Sequence, residues 1–402
     1  MIRSKLFGAT LIVAGTTIGA SMLALPLAAS SMGVFNSAIL LVLLWLLGYY
    51  TAVIALKLNL FYKGAFSISE LCRKTFSSRV AIVADLSIVT LFYSLLAAYI
   101  SGRVEISLVK DLFPEGLGGY VGAFMVGILM IFIVSSFKLL DFGNRIAFMI
   151  KVGAFLTLLM LLMPEIKGDN IFNFDIGLLE SDNIYKVIPI FFTSFGFHGS
   201  IPFVIKYLDR DEGRVKKAFL WGSLLSLGVY LVWIFFTIAV LPQQGGVSFA
   251  SVRNGENNLG GFIVALTDLT GQGSLSIVAT IFSWLAIVTS FLGVGVGLYD
   301  YFLEKLKLDG AIVINKIKAG LITFAPPVVV VIVNKDIFAK ALAFAAISLS
   351  ILAVVLPSLM ALKISGGSGK GVDASISFRP LVVIALLVGL FIMALEMLNF
   401  LY

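Results

Sequence analysis

The sequence contains few of the side chains that bind metals or carry acid–base chemistry. It has one cysteine, Cys72, and one histidine, His198, and charged residues make up only 13% of its 402 positions. A single cysteine excludes an intramolecular disulfide and a cysteine-rich metal cluster. The low charge content excludes an ordinary soluble domain, in which about a quarter of the residues are charged.

Apolar residues take the place of the missing charges. Hydrophobic residues make up 60% of the chain, and uncharged runs of about 20 residues, long enough to cross a bilayer, recur along its whole length. The sequence therefore predicts an all-α polytopic membrane protein that forms a single transmembrane domain over residues 1–402. The eleven predicted spans are 6–31, 34–61, 79–109, 119–137, 141–163, 184–207, 214–241, 274–303, 313–333, 337–362 and 378–400.

Residues 1–31 superficially resemble a secretory leader, because basic residues precede an apolar run. The run is too long for a leader and contains Gly15, Gly19 and Pro26. We therefore expect it to be retained as the first span.

The basic residues predict the orientation. The net charge is +7, and lysine and arginine concentrate in short connections on one side of the predicted membrane, such as 206–217. Because short basic loops remain in the cytoplasm, we expect a cytoplasmic N-terminus and, after eleven crossings, an external C-terminus. The same loops meet anionic lipid, so we expect membrane lipid, and not nucleic acid, as a partner.

Two predicted spans are interrupted by glycines and followed by a proline. Residues 14–21 read AGTTIGAS, with Pro26 beyond them, and residues 195–200 read FGFHGS, with Pro202 beyond them. A broken helix persists at membrane depth only where protein or a bound solute satisfies its freed backbone groups. Two breaks in corresponding halves of a chain indicate a transporter's substrate site. The alternative is that the glycines only allow close helix packing.

The positions of the two breaks predict an internal repeat. Spans 1–5, about 6–163, and spans 6–10, about 184–362, each open with a broken helix. Because five is odd, the second unit enters the membrane from the opposite side, which makes the repeat inverted. The last span, about 378–400, is then an additional helix.

The sequence around both breaks resembles the bacterial hydroxy/aromatic amino acid permease family. The first motif is GTTIGASMLALP at 15–26 and the second is FTSFGFHGS at 192–200; SFLGV at 290–294, YDY at 299–301 and AYISG at 98–102 extend the likeness. Ser21 stands where this family commonly has glycine. The resemblance implies an eleven-span LeuT-type fold of the APC superfamily in the inner membrane, with helices 1 and 6 discontinuous. It also implies proton-coupled import (symport) of an aromatic amino acid, without a cofactor or metal. Tyrosine is the leading substrate, and tryptophan or a broad aromatic range is the alternative.

An amino acid substrate brings a carboxylate and an ammonium group to the breaks. Freed N–H groups at a helix N-terminus attract the carboxylate, freed carbonyls attract the ammonium, and aromatic side chains hold the substrate ring. The candidate substrate-binding residues are Gly15, Thr16, Thr17, Ile18, Gly19, Ala20, Ser21, Tyr93, Tyr99, Phe195, Gly196, Phe197, His198, Gly199, Phe282 and Phe291.

Lys151 is the candidate for proton coupling. It lies ten residues into the fifth span, about 15 Å from its end, and a charge at that depth suggests a function. In proton-coupled members of this broader fold, a lysine on the fifth span can take the place of a sodium ion between spans 1 and 8. Its partners here would be the carbonyls of Ala14 and Gly15 and the hydroxyls of Thr289 and Ser290. The alternative is a lysine that extends to the membrane surface.

His198 lies inside the second break and titrates near neutrality when it is unperturbed. It is either a proton relay or substrate-hydroxyl contact, or a neutral histidine satisfied by its surroundings. A membrane enzyme acting on lipid-linked substrates is the rival function, but it would need clustered acids or histidines at one interface. A metal transporter would need acidic and methionine ligands at the breaks, and the sequence has neither there.

Overall fold

The structure is a computed structural model that describes residues 2–105, 127, 137–172, 181–254, 259–271, 273–334, 337–366 and 379–401. Within these ranges the regular secondary structure is helical throughout. The helices are α1 (Ile2–Thr17), α2 (Leu25–Ala29), α3 (Gly33–Phe61), α4 (Ile68–Thr75), α5 (Ser78–Glu105), α6 (Phe137–Leu162), α7 (Gly168–Phe172), α8 (Ser181–Thr193), α9 (Ile201–Tyr207), α10 (Glu212–Val240), α11 (Phe249–Asn254), α12 (Leu259–Thr270), α13 (Gly273–Lys305), α14 (Val313–Val333), α15 (Phe338–Ser350), α16 (Leu356–Gly366) and α17 (Arg379–Leu401).

Among the described residues, nine segments are long and apolar enough to cross a membrane, and a bent pair makes a tenth. The bent pair is Lys5–Thr17 with Ala20–Ala29, and the helix axis bends by 46° between its two parts. One of the nine, Ile184–Tyr207, contains the second predicted break. The predicted fourth span, 119–137, lies almost wholly outside the described residues, so the total of eleven stays a prediction.

Contacts between helix ends define two faces of the bundle. We call the side on which α1 begins the N-terminal face; there the Lys5 ammonium lies 3.1 Å from Asp209 and the Lys57 ammonium lies 2.6 Å from Glu212. We call the opposite side the far face; there Arg253 of α11 donates a 2.8 Å hydrogen bond to the Ser30 hydroxyl. The halves of the first broken helix run from the N-terminal face to the far face, and those of the second run the other way.

The close packing of α1 on α10 depends on one glycine. A Cβ at Gly222 would lie 2.6 Å from the Val13 Cβ and 2.8 Å from the Thr10 carbonyl oxygen. Side chains larger than hydrogen would therefore separate the two helices. This contact fixes α10 beside the first break.

The last part of the bundle contains a π-helical turn. Residues Ile351–Val355 join α15 to α16 in this conformation. The Ser350 hydroxyl, just before the turn, donates a 2.6 Å hydrogen bond to the Gly389 carbonyl of α17. The additional last helix is thereby attached to the helix of the predicted tenth span.

Short helices cover the connections. On the N-terminal face, α4 begins with a capping box in which the Ser67 N–H donates to Glu70 at 2.8 Å and the Ser67 side chain accepts from the Glu70 N–H at 3.3 Å. On the far face, the polar connection 242–273 contains both α11 and α12. Phe249 and Phe262 of these helices stack with ring centroids 6.0 Å apart.

Candidate functional site

The first break frees backbone groups that three other helices satisfy. Helix α1 ends at Thr17, and Gly19 has extended dihedral angles of φ −134° and ψ −157°. The Thr17 carbonyl accepts from the Tyr230 hydroxyl at 2.6 Å, and the Ile18 carbonyl accepts from Lys151 at 3.2 Å. The Ala20 N–H donates to the Ser290 hydroxyl at 2.9 Å. The break is therefore stabilised by side chains from α10, α6 and α13.

Glycine is required at the centre of this break. A Cβ at Gly19 would lie 2.5 Å from the Ser290 hydroxyl oxygen, so any side chain would displace the group that satisfies Ala20. Gly15 differs, because a Cβ there would meet nothing within 4 Å. The Thr16 and Thr17 hydroxyls both donate to the Val13 carbonyl within α1, at 2.9 and 2.7 Å.

Lys151 lies beside the first break and is 3% exposed. Its ammonium donates to the Ile18 carbonyl and to the Thr289 hydroxyl, both at 3.2 Å, and lies 5.0 Å from the centre of the Phe148 ring. This conformation is not that of a lysine extended to the surface. The Ile18 carbonyl takes the place of the expected Ala14 and Gly15 carbonyls, and the Ala14 carbonyl accepts from the Ile18 N–H at 2.7 Å instead.

Ser290, which was also predicted to contact Lys151, has another role. Ser290 satisfies the Ala20 N–H, and Thr289, one residue earlier on α13, is the hydroxyl that contacts the lysine. Thr289 in turn donates to the Leu285 carbonyl at 2.8 Å, so its oxygen can accept from the ammonium. Helix α13 thus contacts the first break through two adjacent hydroxyls with different tasks.

The second break begins where α8 ends, at Thr193. The chain turns through weak local bonds, with the Gly196 N–H donating to the Thr193 carbonyl at 3.2 Å and the Phe197 N–H donating to the Phe195 carbonyl at 2.9 Å. The Ser194 carbonyl accepts from the Tyr230 hydroxyl at 2.7 Å. Among the described residues, the buried Thr193 hydroxyl has no hydrogen-bond partner.

Three predicted ring-binding residues are buried in the main core, near the breaks. The Phe195 ring meets the Tyr230 ring edge to face at 5.4 Å. The Phe282 and Trp233 ring centroids lie 5.8 Å apart, and the Tyr99 side chain is buried in the same core. All three rings belong to the same buried apolar cluster.

The other predicted residues of the second break lie on a different side. Phe197 stacks on His198 at 5.0 Å and packs on Phe219 of α10 at 5.8 Å, within a separate core cluster on the N-terminal side of the break. The His198 Nε2 atom lies 2.9 Å from the Thr51 hydroxyl of α3. Its Nδ1 atom is buried without a partner in the described part of the chain.

Tyr93 and Phe291 are directed toward α14 instead of the breaks. The Tyr93 hydroxyl donates to the Ile322 carbonyl at 2.7 Å. The Phe291 ring stacks on Phe324 at 5.5 Å. Their contacts are those of helix packing, so the structure does not bring these two predicted residues together with the rest.

At both breaks, the residues toward one face of the bundle are buried and some residues toward the other face are exposed. Toward the far face, Ala20 to Ala24 are buried, as are Phe191, Phe192 and Phe195. Toward the N-terminal face, Gly15, Thr16 and Gly199 are exposed, and a Cβ at Gly199 would meet nothing within 4 Å. Three residues on the N-terminal side of the breaks are therefore accessible, whereas those on the far side are buried.

Sequence reasoning missed Tyr230, which contacts both breaks. The sequence marks Tyr230 only by a hydroxyl in the middle of an apolar run. Tyr50, a half-buried tyrosine of α3, has the same pattern, but its hydroxyl lacks a partner among the described residues. The pattern alone therefore does not distinguish the two tyrosines. In the part of the chain that the structure describes, no group of three or more His, Cys, Asp or Glu side chains could hold a metal ion.

Discontinuous helices that meet inside a helical membrane bundle are typical of transporters that bind their substrate between them. A sequence profile of the tryptophan/tyrosine permease family matches residues 2–396. The chain therefore belongs to the tryptophan/tyrosine permease family, which confirms the resemblance drawn from the motifs. It is a transporter and not an enzyme, and the lipid-linked enzyme alternative is excluded.

Individual relatives agree with the profile. The chain is 36% identical over 355 residues to the tyrosine-specific transport system 1 of Haemophilus influenzae, covering 88% of this chain and 87% of that protein. It is 32% identical over 371 residues to the tyrosine-specific transport system 2 of the same organism, covering 90% and 88%. It is 30% identical over 400 residues to a tryptophan-specific transport protein of Pseudomonas aeruginosa, covering 96% and 93%.

Proposed function

We propose that this chain is a proton-coupled symporter that imports an aromatic amino acid, with L-tyrosine as its main substrate. The observation that carries the proposal is the position of the Lys151 ammonium, bonded to the Ile18 carbonyl of the first break and to Thr289 of α13. A fixed cation between these two elements leaves no room for a sodium ion, and it can change its charge by releasing a proton.

The fold we propose is the LeuT-type five-plus-five inverted repeat of the APC superfamily, with eleven spans. The first repeat is 6–163, the second is 184–362, and 378–400 is the additional helix. Two observations support it: each repeat begins with a discontinuous helix, and the two discontinuous helices run in opposite directions between the two faces.

The two breaks provide the groups that an amino acid needs. We assign the substrate carboxylate to N–H groups of the first break, where the backbone restarts at Ala20, and the ammonium to carbonyls of the two breaks. Phe195, Tyr99 and Phe282 supply apolar surface for the aromatic ring. Each aromatic contact contributes about 0.5–1.5 kcal/mol beyond area burial.

Coupling follows from the two bonds of Lys151. The charged form holds the Ile18 carbonyl and Thr289 together, and so joins α6, α13 and the first break. Proton release removes the charge that strengthens both bonds. The break is then free to separate from α13, which gives a conformational step that depends on the proton.

We place the protein in the bacterial inner membrane with the N-terminus in the cytoplasm and the C-terminus in the periplasm, because the basic loops lie on the N-terminal face. In that orientation the exposed residues Gly15, Thr16 and Gly199 lie on the cytoplasmic side of the breaks. Their exposure supports assigning this conformation to the step that releases substrate into the cell.

Tyrosine is favoured over tryptophan by two relatives. The proteins 36% and 32% identical to this chain are named tyrosine-specific, and the 30% identical protein is named tryptophan-specific. A tryptophan or broad aromatic permease is the second candidate.

The experiment is uptake of labelled tyrosine into proteoliposomes that contain the purified protein. With an inward proton gradient and no sodium, we expect accumulation that a protonophore abolishes. Excess unlabelled tyrosine should compete more strongly than tryptophan or phenylalanine, and aliphatic amino acids should not compete. Uptake that requires sodium and is unaffected by the protonophore would refute proton coupling. If tryptophan competed more strongly than tyrosine, the main substrate would be tryptophan.

A further inference from the structure

Tyr230 lies on α10, a continuous helix that contributes no break, yet its hydroxyl contacts both breaks. The hydroxyl oxygen lies 2.6 Å from the Thr17 carbonyl oxygen and 2.7 Å from the Ser194 carbonyl oxygen. In uninterrupted helices these carbonyls would accept from the N–H groups of Ser21 and His198. A single hydroxyl therefore lies where it can replace a lost backbone bond at either break.

The Tyr230 hydroxyl has one proton to donate, but two carbonyl acceptors lie within its reach. A phenol donates one hydrogen bond, and two carbonyls lie within bonding distance of it. The proton is therefore shared between the two carbonyls or bonds one of them at a time. Ser21, which stands where the resemblance leads us to expect glycine, is buried at the first break.

The rest of the Tyr230 side chain is held firmly. The residue is 0% exposed, and its ring meets the Phe195 ring edge to face. Its helix is fixed against α1 by the close approach at Gly222. The hydroxyl is therefore a fixed point from which the separation of the two breaks is set.

We propose that Tyr230 is a positioning residue that holds the two breaks in register, so that their backbone groups are presented to the substrate at a fixed separation. The proposal rests on the proposed function, because it assumes that an amino acid binds at the breaks. Backbone groups bind the carboxylate and ammonium that all amino acids share. Removing the hydroxyl should therefore weaken the binding of every amino acid substrate by the same factor. Removing a residue that recognises the substrate side chain would instead weaken the binding of some substrates more than others.

The test is Tyr230→Phe, which keeps the ring and its contact with Phe195 and removes only the hydroxyl. We expect the dissociation constants of tyrosine, phenylalanine and tryptophan, measured by calorimetry on purified protein, to rise by the same factor of about ten to a hundred. That factor corresponds to about 1.4–2.8 kcal/mol. Tyr62→Phe is the matched control, because it removes a hydroxyl 3.0 Å from the Thr75 hydroxyl, away from both breaks; its three dissociation constants should equal those of the wild type.

A second variant tests the same idea if Tyr230→Phe does not fold. Replacement of Tyr230 by 4-aminophenylalanine keeps the shape of the ring and supplies two N–H donors for two carbonyls. It should bind all three amino acids at least as tightly as the wild type does.

Three results would overturn the proposal. They are wild-type affinity in Tyr230→Phe, a loss confined to tyrosine, and weak binding by a folded 4-aminophenylalanine variant. Failure of the proposed function would look different, because then the wild-type protein itself would bind none of the three amino acids.

Discussion

Replacing Lys151 by glutamine separates substrate binding from proton coupling. The lysine is buried, and its ammonium bonds the Ile18 carbonyl and the Thr289 hydroxyl at 3.2 Å each. Glutamine has no charge to lose, but its amide can still donate to one of these two oxygens. The variant should therefore retain much of the local structure while losing the group that responds to protons.

The expected magnitude follows from the two bonds and from the driving force. A hydrogen bond to a charged group contributes about 1.5–3 kcal/mol and a neutral one about 0.5–1.5 kcal/mol, so the loss at the break is a few kcal/mol at most. Symport of one proton with a zwitterion moves one charge, which at 100 mV supplies about 2.3 kcal/mol. That energy supports accumulation of about fifty-fold. Without coupling, accumulation should fall to about one-fold.

The assay compares two modes of transport in the same proteoliposomes. Accumulation under a proton gradient should be lost in Lys151→Gln, whereas exchange of internal for external labelled tyrosine should remain measurable. Lys57→Gln is the matched control, since Lys57 is also a buried lysine, paired with Glu212 at 2.6 Å on the N-terminal face. Glu212 keeps its second partner, Lys216, at 2.6 Å, so this control should accumulate tyrosine normally.

Normal accumulation by a folded Lys151→Gln protein would refute the reasoning. Lys151 would then be a structural cross-link between α6 and the first break, and another group would carry the proton. Loss of both exchange and accumulation in a protein with wild-type thermal stability would contradict the separation of binding from coupling.

Three further predictions concern packing, recognition and reactivity. Gly222→Ala should destabilise the protein by about 1–3 kcal/mol through overpacking against α1, seen as a lower melting temperature in detergent; Gly228→Ala on the same helix, where a Cβ meets nothing within 4 Å, should not. His198→Ala should lower tyrosine and phenylalanine affinity by the same factor, because its Nε2 atom is engaged by Thr51; a loss for tyrosine alone would assign His198 to the substrate hydroxyl. Burial and a neighbouring carboxylate raise the pKa of the Cys72 thiol to about 12, so near neutral pH the reactive thiolate is absent and maleimide should label only unfolded protein.

Much of the helical architecture is legible in the sequence because bilayer thickness imposes a length on every span. The predicted spans 34–61 and 313–333 coincide closely with Gly33–Phe61 and Val313–Val333. Both helix breaks are also legible, since paired glycines followed by a proline weaken a helix wherever they interrupt an apolar run. The π-helical turn at Ile351–Val355 was not predicted. Its signal is Pro357, two residues beyond the turn, which lacks the N–H that would bond to the Ala353 carbonyl in a regular helix.

The partners at the breaks are less predictable because they depend on the rotation of each helix about its axis. Lys151 and Thr289 were predicted to meet, and they do. The carbonyl partner, however, is Ile18, just beyond the end of α1 and three to four residues after the predicted Gly15 and Ala14. Such a shift is about one helical turn. It is comparable with the error in a span boundary read from hydropathy.

The aromatic residues show a second limit of sequence reasoning. Phe195 and Phe197 are two residues apart on the same motif, yet they pack into different core clusters. An unwound segment has no helical period from which to infer which side chains share a face. Only the conformation of the break separates the residue that meets Tyr230 from the one that stacks on His198.

In the mechanism that we propose, the proton and the substrate act on the same part of the first break. The groups that hold Thr17, Ile18 and Ala20 belong to α10, α6 and α13, respectively. Lys151 therefore acts on a carbonyl that is one residue from the acceptor of Tyr230 and two residues from the donor to Ser290. In the proposed mechanism, a change of charge on Lys151 and a substrate bound at the break would act on the same four residues of backbone, so their coupling free energy would need no pathway through the bundle.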